Sequence, residues 1–430
     1  MAEIAPFRGI RYDEAQVGDL SKVVSPPYDV ISPEDRVYYH RLHPANFVRL
    51  VLGEEFETDN EARNRFTRAR EYLDDWLARG ILRPDPQPAL YVYQQVFEHG
   101  GRKRRVRGFT CAVKLHDYSE RVILPHENTL AKPKSQLIRL MRATRANLDS
   151  IYALYADESG VVDAVLDRVM SGEPAAVAVD KNGVRHLQWI LSEPAEIRTI
   201  VDVLEPKQIA IADGHHRYET SLAYRDEVRR SKAGEELGSH VRSDELGAEY
   251  TLMTLVNVYQ EDMTVFPTHR VVKGLGADVL RRLDHDLGEL FETAASSPET
   301  LLEDMASAGA IGMYRPAQAL TLKPRPNSRL LMNGCEASRC LELNVLHKLI
   351  LERVLGIDED KLRNQTHISY TRDAAEAMRL VDSGKGQVAF LLNNIAVKSV
   401  LDVAAAGERM PQKATYFYPK LISGLVMRGF

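Results

Sequence analysis

KQIAIADGHHRYETSLAYRDE, residues 207–227, decides how the chain is read. Gln208 to Ala212 is a short apolar run of strand type, and Asp213-Gly214 is a turn pair. His215 to Arg230 has helical character, with Tyr218 and Leu222 one turn apart. A strand that passes through one tight turn into a helix aims the leading N–H groups of that helix at whatever lies over the turn, and the helix dipole attracts anions to the spot. Glycine at Gly214 allows a phosphate to approach the backbone. Arg217 adds a charge-assisted donor, and His215 and His216 donate, accept or carry a proton near neutral pH. Asp213 is suited to hold a magnesium ion or to orient a hydroxyl. The plainer alternative makes Asp213 an N-cap and the histidines partly buried polar residues. Three ligand-type side chains crowded at one helix start favour a phosphate-handling turn.

The surroundings narrow the class. A chain of 430 residues is expected to form two or three lobes. Its composition, 44% hydrophobic and 27% charged, is that of an ordinary globular protein. A net charge of −5 argues against dedicated nucleic-acid binding, and no apolar run is long enough for a membrane span. The start, MAEIAPFRGIRYDEAQ, has no signal-peptide pattern. Cys111, Cys335 and Cys340 form neither a zinc pattern nor a disulfide framework, so a cytoplasmic location is expected. Oligomeric state is left open.

Ser32-Pro33-Glu34 starts a helix, with serine as cap and proline in the first turn. Residues 60–79 carry Ala62, Phe66, Ala69, Leu73, Trp76 and Leu77 on one helical face, with Thr58 and Asp59 as cap candidates. Residues 89–97 and 104–115 read as a hairpin turning at Gly100-Gly101, its tip carrying Arg102 to Arg105. A helix is expected from Pro133 to Ser135 onward, and strands at 151–156 and 249–259. Beyond residue 272 the pattern runs helix, helix, strand, strand, helix, strand, helix, strand, helix. The fold class is therefore α+β or mixed α/β, with lobes over 1–274 and 275–430 that meet near Gly274.

Four further stretches carry candidate chemistry. Glu127 follows His126 on a loop and can deprotonate a hydroxyl, as phosphoryl transfer to an alcohol requires. Lys132 and Lys134 follow and suit a substrate carboxylate or phosphate. Pro27-Tyr28-Asp29 forms a rigid bend that can hold Asp29 in a site. His269 and Arg270, after a strand, can complete an anion site, and in MPQKATYFYPK, where Lys413 and Lys420 flank Thr415, Tyr416 and Tyr418, a lysine with the threonine can bind phosphate. For each, a structural role stands as the alternative: a loop acid paired with arginine, a plain bend, a histidine satisfied by backbone, a packed strand. There is no G-x-x-x-x-G-K-[ST], G-x-G-x-x-G or G-x-S-x-G motif, so a nucleotide enzyme here needs another cradle.

The motif ADGHHRYETSLAY, with SPPYDVI, PHENT, FPTHR and MPQKATYFYPKLISGLV in order along the chain, resembles the "domain of unknown function 1015" family over nearly its whole length. Ala414 departs from that pattern, where serine is more usual, which puts a hydroxyl role there in doubt. The shorter D-G-H-H-R block resembles that of ParB-like free-serine kinases and, more distantly, the turns of sulfiredoxin and ParB proteins. That resemblance implies a ParB/sulfiredoxin-like nucleotide-binding lobe followed by a second α/β lobe. It also implies Gly214, His215, His216 and Arg217 as a phosphate cradle, with Asp213 beside the transferring group or its metal. His215 stands where sulfiredoxin has cysteine, so sulfinic-acid repair is not expected. The function expected is a small-molecule phosphotransferase, kinase-like and acting on serine or a similar small amino acid, or a phosphohydrolase. ATP or ADP and Mg²⁺ are the expected cofactors, and the partner is a nucleotide or phosphorylated small molecule. The alternative is a nucleotide-binding switch of ParB type with little turnover.

Overall fold

The computed structural model describes residues 1–129, 131–231, 246–363, 366–411 and 414–430. The fold is mixed α/β and consists of two compact units. The first comprises Met1–Pro125, Thr129–Met263 and Pro419–Phe430, and the second His126–Asn128 and Thr264–Tyr418.

Two longer helices stand near the start of the first unit, beside the short turns of helix Glu14–Val17 and Val48–Val51. In α1 (Pro33–Leu42) the Ser32 hydroxyl accepts from the Asp35 amide, as the sequence predicts. Helix α2 (Arg65–Ala78) buries Phe66, Ala69, Leu73 and Trp76 on the expected face. It starts later than expected, because Asn64 closes a reciprocal capping box with Thr67. Asp59, a cap candidate by sequence, is instead held by both terminal nitrogens of Arg68, at 2.7 and 2.8 Å.

The strands of this unit are β1 (Leu90–His99), β2 (Arg102–Lys114), β3 (Ile123–Leu124), β4 (Ile151–Tyr155), β5 (Ala176–Val179), β6 (Arg185–Leu191), β7 (Ile209–Asp213) and β8 (Tyr250–Asn257). They lie in the order β3-β7-β4-β8-β2-β1-β6-β5, and Ile4–Ala5 pairs with β2 as the ninth strand. The β1–β2 hairpin turns at Gly100 and Gly101, whose φ values of 60° and 70° match the twist of the flanking strands. Pairing of β7 with β3 and of β8 with β4 is parallel, and the other neighbours run antiparallel.

The two faces of this sheet differ. One carries Val92, Phe109, Cys111, Ala153, Trp189, Ile211 and Met253 into a core closed by α4 (Val161–Met170) and α5 (Pro194–Leu204). The other face is mixed: Phe7, Ala89, Tyr91, Ala112, Leu252 and Val426 pack together on part of it, and a polar row crosses the rest. Thr110, Thr254, Tyr152 and Asp213 are register partners across β2, β8, β4 and β7, and Tyr93 and Gln95 pair with Gln188 and His186. A bulge between Ile211 and Asp213 sets this row, since strict alternation from Ile211 would give Asp213 the core face.

The last twelve residues of the chain return to this second face. Gln95 donates to the Lys420 carbonyl at 2.7 Å, the Ile422 amide donates to the Tyr93 hydroxyl at 3.3 Å, and Ser25 pairs with Ser423. The segment is pinned by Arg428, which is fully buried and donates to the carbonyls of Tyr250 (2.8 Å) and Gly247 (2.7 Å) and to Asn147 Oδ1 (3.2 Å).

The second unit has an antiparallel sheet of β10 (His269–Val272), β11 (Phe291–Ser296), β12 (Ile311–Arg315), β13 (Gln318–Pro324), β14 (Ile368–Thr371) and β15 (Val388–Leu391), in the order β11-β13-β12-β15-β10-β14. The short strands β9 (Thr264–Phe266) and β16 (Tyr416–Tyr418) pair separately. Val271, Leu301, Met305, Ala377, Val381 and Leu391 form its core. The sequence pattern omitted β11, which follows the helix Ala277–Leu290: this edge strand buries Phe291 and exposes Glu292 to Ala295, so it has no apolar alternation to read. The units change over between Met263 and Thr264 because β9 and β10 already pair with strands of the second unit, and Gly274 falls inside that unit.

Replacement of the fully buried Arg428 by alanine strands one buried and two part-buried acceptors and is expected to cost about 3 kcal/mol. Urea unfolding checks this; a loss below about 1 kcal/mol would contradict the anchoring role of Arg428.

Candidate functional site

The site forms where β7 turns into helix α6 (His215–Arg230). Gly214 occupies the cap position with φ of 98°, a conformation that side chains disfavour, and no side chain caps the helix. Asp213 is therefore not the N-cap. A Cβ on Gly214 would lie 2.9 Å from Arg217 Nε and 3.0 Å from Cζ, so glycine serves both the turn and the seat of the guanidinium. The helix begins with the Tyr218 amide on the Gly214 carbonyl at 3.0 Å, and Tyr218, fully buried, ties α6 to both backbone groups of His116.

Arg217 and Lys420 converge on one oxygen. Arg217 Nη2 lies 3.5 Å and Lys420 Nζ 3.3 Å from Asp213 Oδ2. Arg217 Nη1 also donates to the Ser150 carbonyl. Burial pulls the Arg217 guanidinium down, but Asp213, Asp149 and Asp29 outweigh it, and the balance is upward. Asp29, in the turn Tyr28–Val30, is solvent-exposed by surface area, yet protein crowds its carboxyl. That desolvation, followed by repulsion from Asp213, holds its pKa above the usual carboxylate range, against the pull of Arg217 and Lys420. Asp149 is raised in the same way, by burial first, with Arg217 and a bond from Ser423 opposing. Burial lowers His216, Glu219 and Asp29 oppose, and Lys134 and Arg217 reinforce, so the imidazole is neutral at neutral pH.

The turn is not sealed. Asp213, Gly214 and His216 are half-buried, while His215 and Arg217 are buried. A cavity of about 40 Å³ adjoins Arg217, lined also by Asp149, Thr220, Ser221, Leu137 and Leu140. A groove of about 530 Å³ runs between α6 and α3 (Ala131–Thr144), past Lys134, Glu219, Arg142 and Glu227. Lys134 meets Glu219 at 2.8 Å, with Thr129 donating to the same oxygen at 2.6 Å, and Lys132 is exposed in the first turn of α3.

The first unit thus brings together Asp213, Gly214, His216, Arg217, Asp29 and Lys134, with His215 beneath them. Glu127, His269, Arg270 and Thr415 belong to the second unit. There the Glu127 carboxylate acts on Arg270 and Tyr370, while its carbonyl accepts from Arg409 at 3.5 Å. His269 Nδ1 accepts the Leu392 amide at 3.2 Å, and burial, then Arg270, brings its pKa to about 4. Arg270 is fully buried, stacks over Tyr370 at 5.3 Å, and is brought to about 10 by burial. Thr415 Oγ1 lies 3.0 Å from His126 Nε2. Lys413 lies outside the described residues.

Sequence reasoning put Lys420 in a candidate loop without placing it at Asp213, and it missed Asp149. Lys420 stands in the same stretch as Lys413, but only the return of the C-terminal segment brings it to Asp213. Asp149, between β4 and the preceding helix, carries no motif. Among the described residues, no three His, Cys, Asp or Glu side chains converge to hold a metal ion. Nor is any described helix long and apolar enough to cross a membrane.

The chain belongs to the family described as "Protein of unknown function (DUF1015)", whose model matches residues 4–347. None of the curated proteins matches it. Among solved structures it is similar to a conserved hypothetical protein from Pyrococcus furiosus, at 12% identity over 71% of this chain and 92% of that one, with a TM-score of 0.35. It is similar to a free serine kinase in complex with AMP, at 13% identity over 69% and 83%, with a TM-score of 0.35. A third is SbnI with C-terminal truncation from Staphylococcus aureus, at 13% identity over 74% and 87%, with a TM-score of 0.37.

A raised carboxyl holds its proton more tightly in the folded state, so its ionisation weakens the fold as pH rises from the unfolded value through the folded one. Asp29→Asn is therefore expected to stabilise the protein at neutral pH, with the gain vanishing below about pH 4. Denaturant midpoints across that range check the sign; a loss of stability at neutral pH would contradict it.

Proposed function

We propose that the first unit is a nucleotide-dependent phosphotransferase site acting on a small hydroxyl-bearing acceptor, serine or a similar amino acid. The observation that carries this reading is the pair of cations, Arg217 and Lys420, gathered on Asp213 at the start of α6. A helix N-terminus flanked by two cations suits a phosphate, and the Asp29 carboxyl beside it, with its raised pKa, suits proton removal.

In this mechanism the α6 amides and Arg217 hold the phosphate, and Lys420 exchanges part of its interaction with Asp213 for a phosphoryl oxygen. Asp29 accepts the proton of the attacking hydroxyl, a role its raised pKa fits and one that sequence reasoning gave to Glu127. Neutral His216 donates a hydrogen bond to charge that develops on the transferring group. Asp213 matches the one or two carboxylates with which Mg²⁺ is commonly held on substrate phosphates, where the ion would neutralise phosphate charge. Lys134 is the nearest candidate for the acceptor carboxylate. His269, Arg270, Lys413 and Thr415 have no assigned contact in this scheme.

A nucleotide-responsive switch of ParB type is the second reading, favoured by one observation: Lys420 arrives on the C-terminal segment, so a ligand that competes for it acts on that segment. Phosphorus NMR separates the two, since a switch binds without transfer.

Thermal-shift measurements with ATP, ADP, CTP and phosphorylated amino acids, each with magnesium, are expected to give stabilisation by at least one nucleotide. Lys420→Met should weaken that ligand about tenfold. Asp213→Ala and His216→Ala should abolish transfer with the fold intact. Full activity in either would overturn the assignment.

A further inference from the structure

The polar row of the first sheet bounds a cavity of about 20 Å³ beneath the C-terminal segment. Tyr93, Thr110, Ser150, Gln188 and Thr254 line it from the sheet side and Leu421–Val426 from above. It is large enough for one water molecule and polar enough to retain it. Gln188 is 1% exposed, and its Oε1 has no hydrogen-bond partner among the described residues. A buried amide oxygen left without a donor is costly, so this atom points to a ligand that donates.

The neighbouring groups define that ligand. The Tyr93 hydroxyl accepts the Ile422 amide and lies 2.6 Å from His186 Nδ1, so its hydrogen bonds go to groups other than Gln188. Thr110 and Thr254 hydroxyls are 2.8 Å apart, and Thr254 and Ser150 hydroxyls are also 2.8 Å apart. Three hydroxyls joined by two links leave one proton, for which Ser150 has the Ile151 carbonyl at 3.5 Å, and acceptor lone pairs open to a guest that donates. A guest that donates to Gln188 and also bonds a hydroxyl, within a volume of this size, is water.

We infer that one buried water joins Gln188 to the Thr110–Thr254–Ser150 hydroxyl chain and that this chain positions Arg217. The link to Arg217 is the Ser150 carbonyl, which accepts Arg217 Nη1. Ser150, Thr254 and Gln188 are positioning residues: they steady the peptide that orients the guanidinium and touch no ligand themselves. The water site stands on its own; its effect on Arg217 as a phosphate ligand rests on the reading given under Proposed function.

A high-resolution crystal structure of the full chain is expected to show an ordered water within hydrogen-bond distance of Gln188 Oε1. A dry cavity, or a Gln188 amide turned so that Oε1 bonds a protein donor, would overturn the inference. ADP affinity supplies the second arm. Thr254→Val, which breaks both hydroxyl links, should weaken ADP binding about fivefold and lower the melting temperature, and Thr254→Ser should restore both. Equal affinity in Thr254→Val and the parent would overturn the positioning role. If the parent binds no ADP, the phosphate reading fails and the crystallographic arm alone decides the water.

Discussion

The bond network around Asp213 holds the first unit's site together. Its Oδ2 faces two cations from distant parts of the chain, Arg217 from α6 and Lys420 from the C-terminal segment. Two local features make this possible. The bulge after Ile211 shifts Asp213 into register with Tyr152, and the left-handed Gly214 lets the Arg217 guanidinium lie directly over the turn. The third requirement is remote: Arg428, buried and triply bonded, keeps the last strand of backbone on the sheet.

Charge is balanced closely but not completely in this network. Asp29, Asp149 and Asp213 face Arg217 and Lys420, and two of the three acids have raised pKa values because burial adds to their mutual repulsion. Carboxylates that weaken the fold when ionised are unexpected for a structural ion-pair cluster, whose acids normally titrate low. Such frustration is what a site that binds or activates a ligand tends to retain. The second unit contrasts with it. Arg270 and His269 are buried and depressed: Arg270 stacks over Tyr370 within reach of the Glu127 charge, and His269 accepts the Leu392 amide.

Much of this was legible in the residues. The 207–227 stretch is a strand, a glycine turn and a helix, as its apolar run and Asp-Gly pair indicate, and the hairpin at Gly100-Gly101 and the helix of Phe66, Leu73 and Trp76 follow from turn chemistry and periodicity. Strand β11 escaped notice because an exposed edge strand needs no apolar alternation. The late cap at Asn64 was hidden because Asp59 looks equally suitable until Arg68 claims it. Asp149 carries no local signal, and Lys420, although it stands in a lysine-bearing stretch, reaches Asp213 only by a chain return over some two hundred residues, which no local pattern encodes. The same holds for the polar row from Thr110 to Asp213, set by strand register rather than by any one strand.

The most direct test of the phosphate seat is a crystal structure of the full chain grown with ADP. The account predicts a phosphate over Gly214, with oxygens in hydrogen-bond reach of Arg217, Lys420 and the first amides of α6. ADP bound elsewhere, with Asp213 still closed between the two cations, would contradict it.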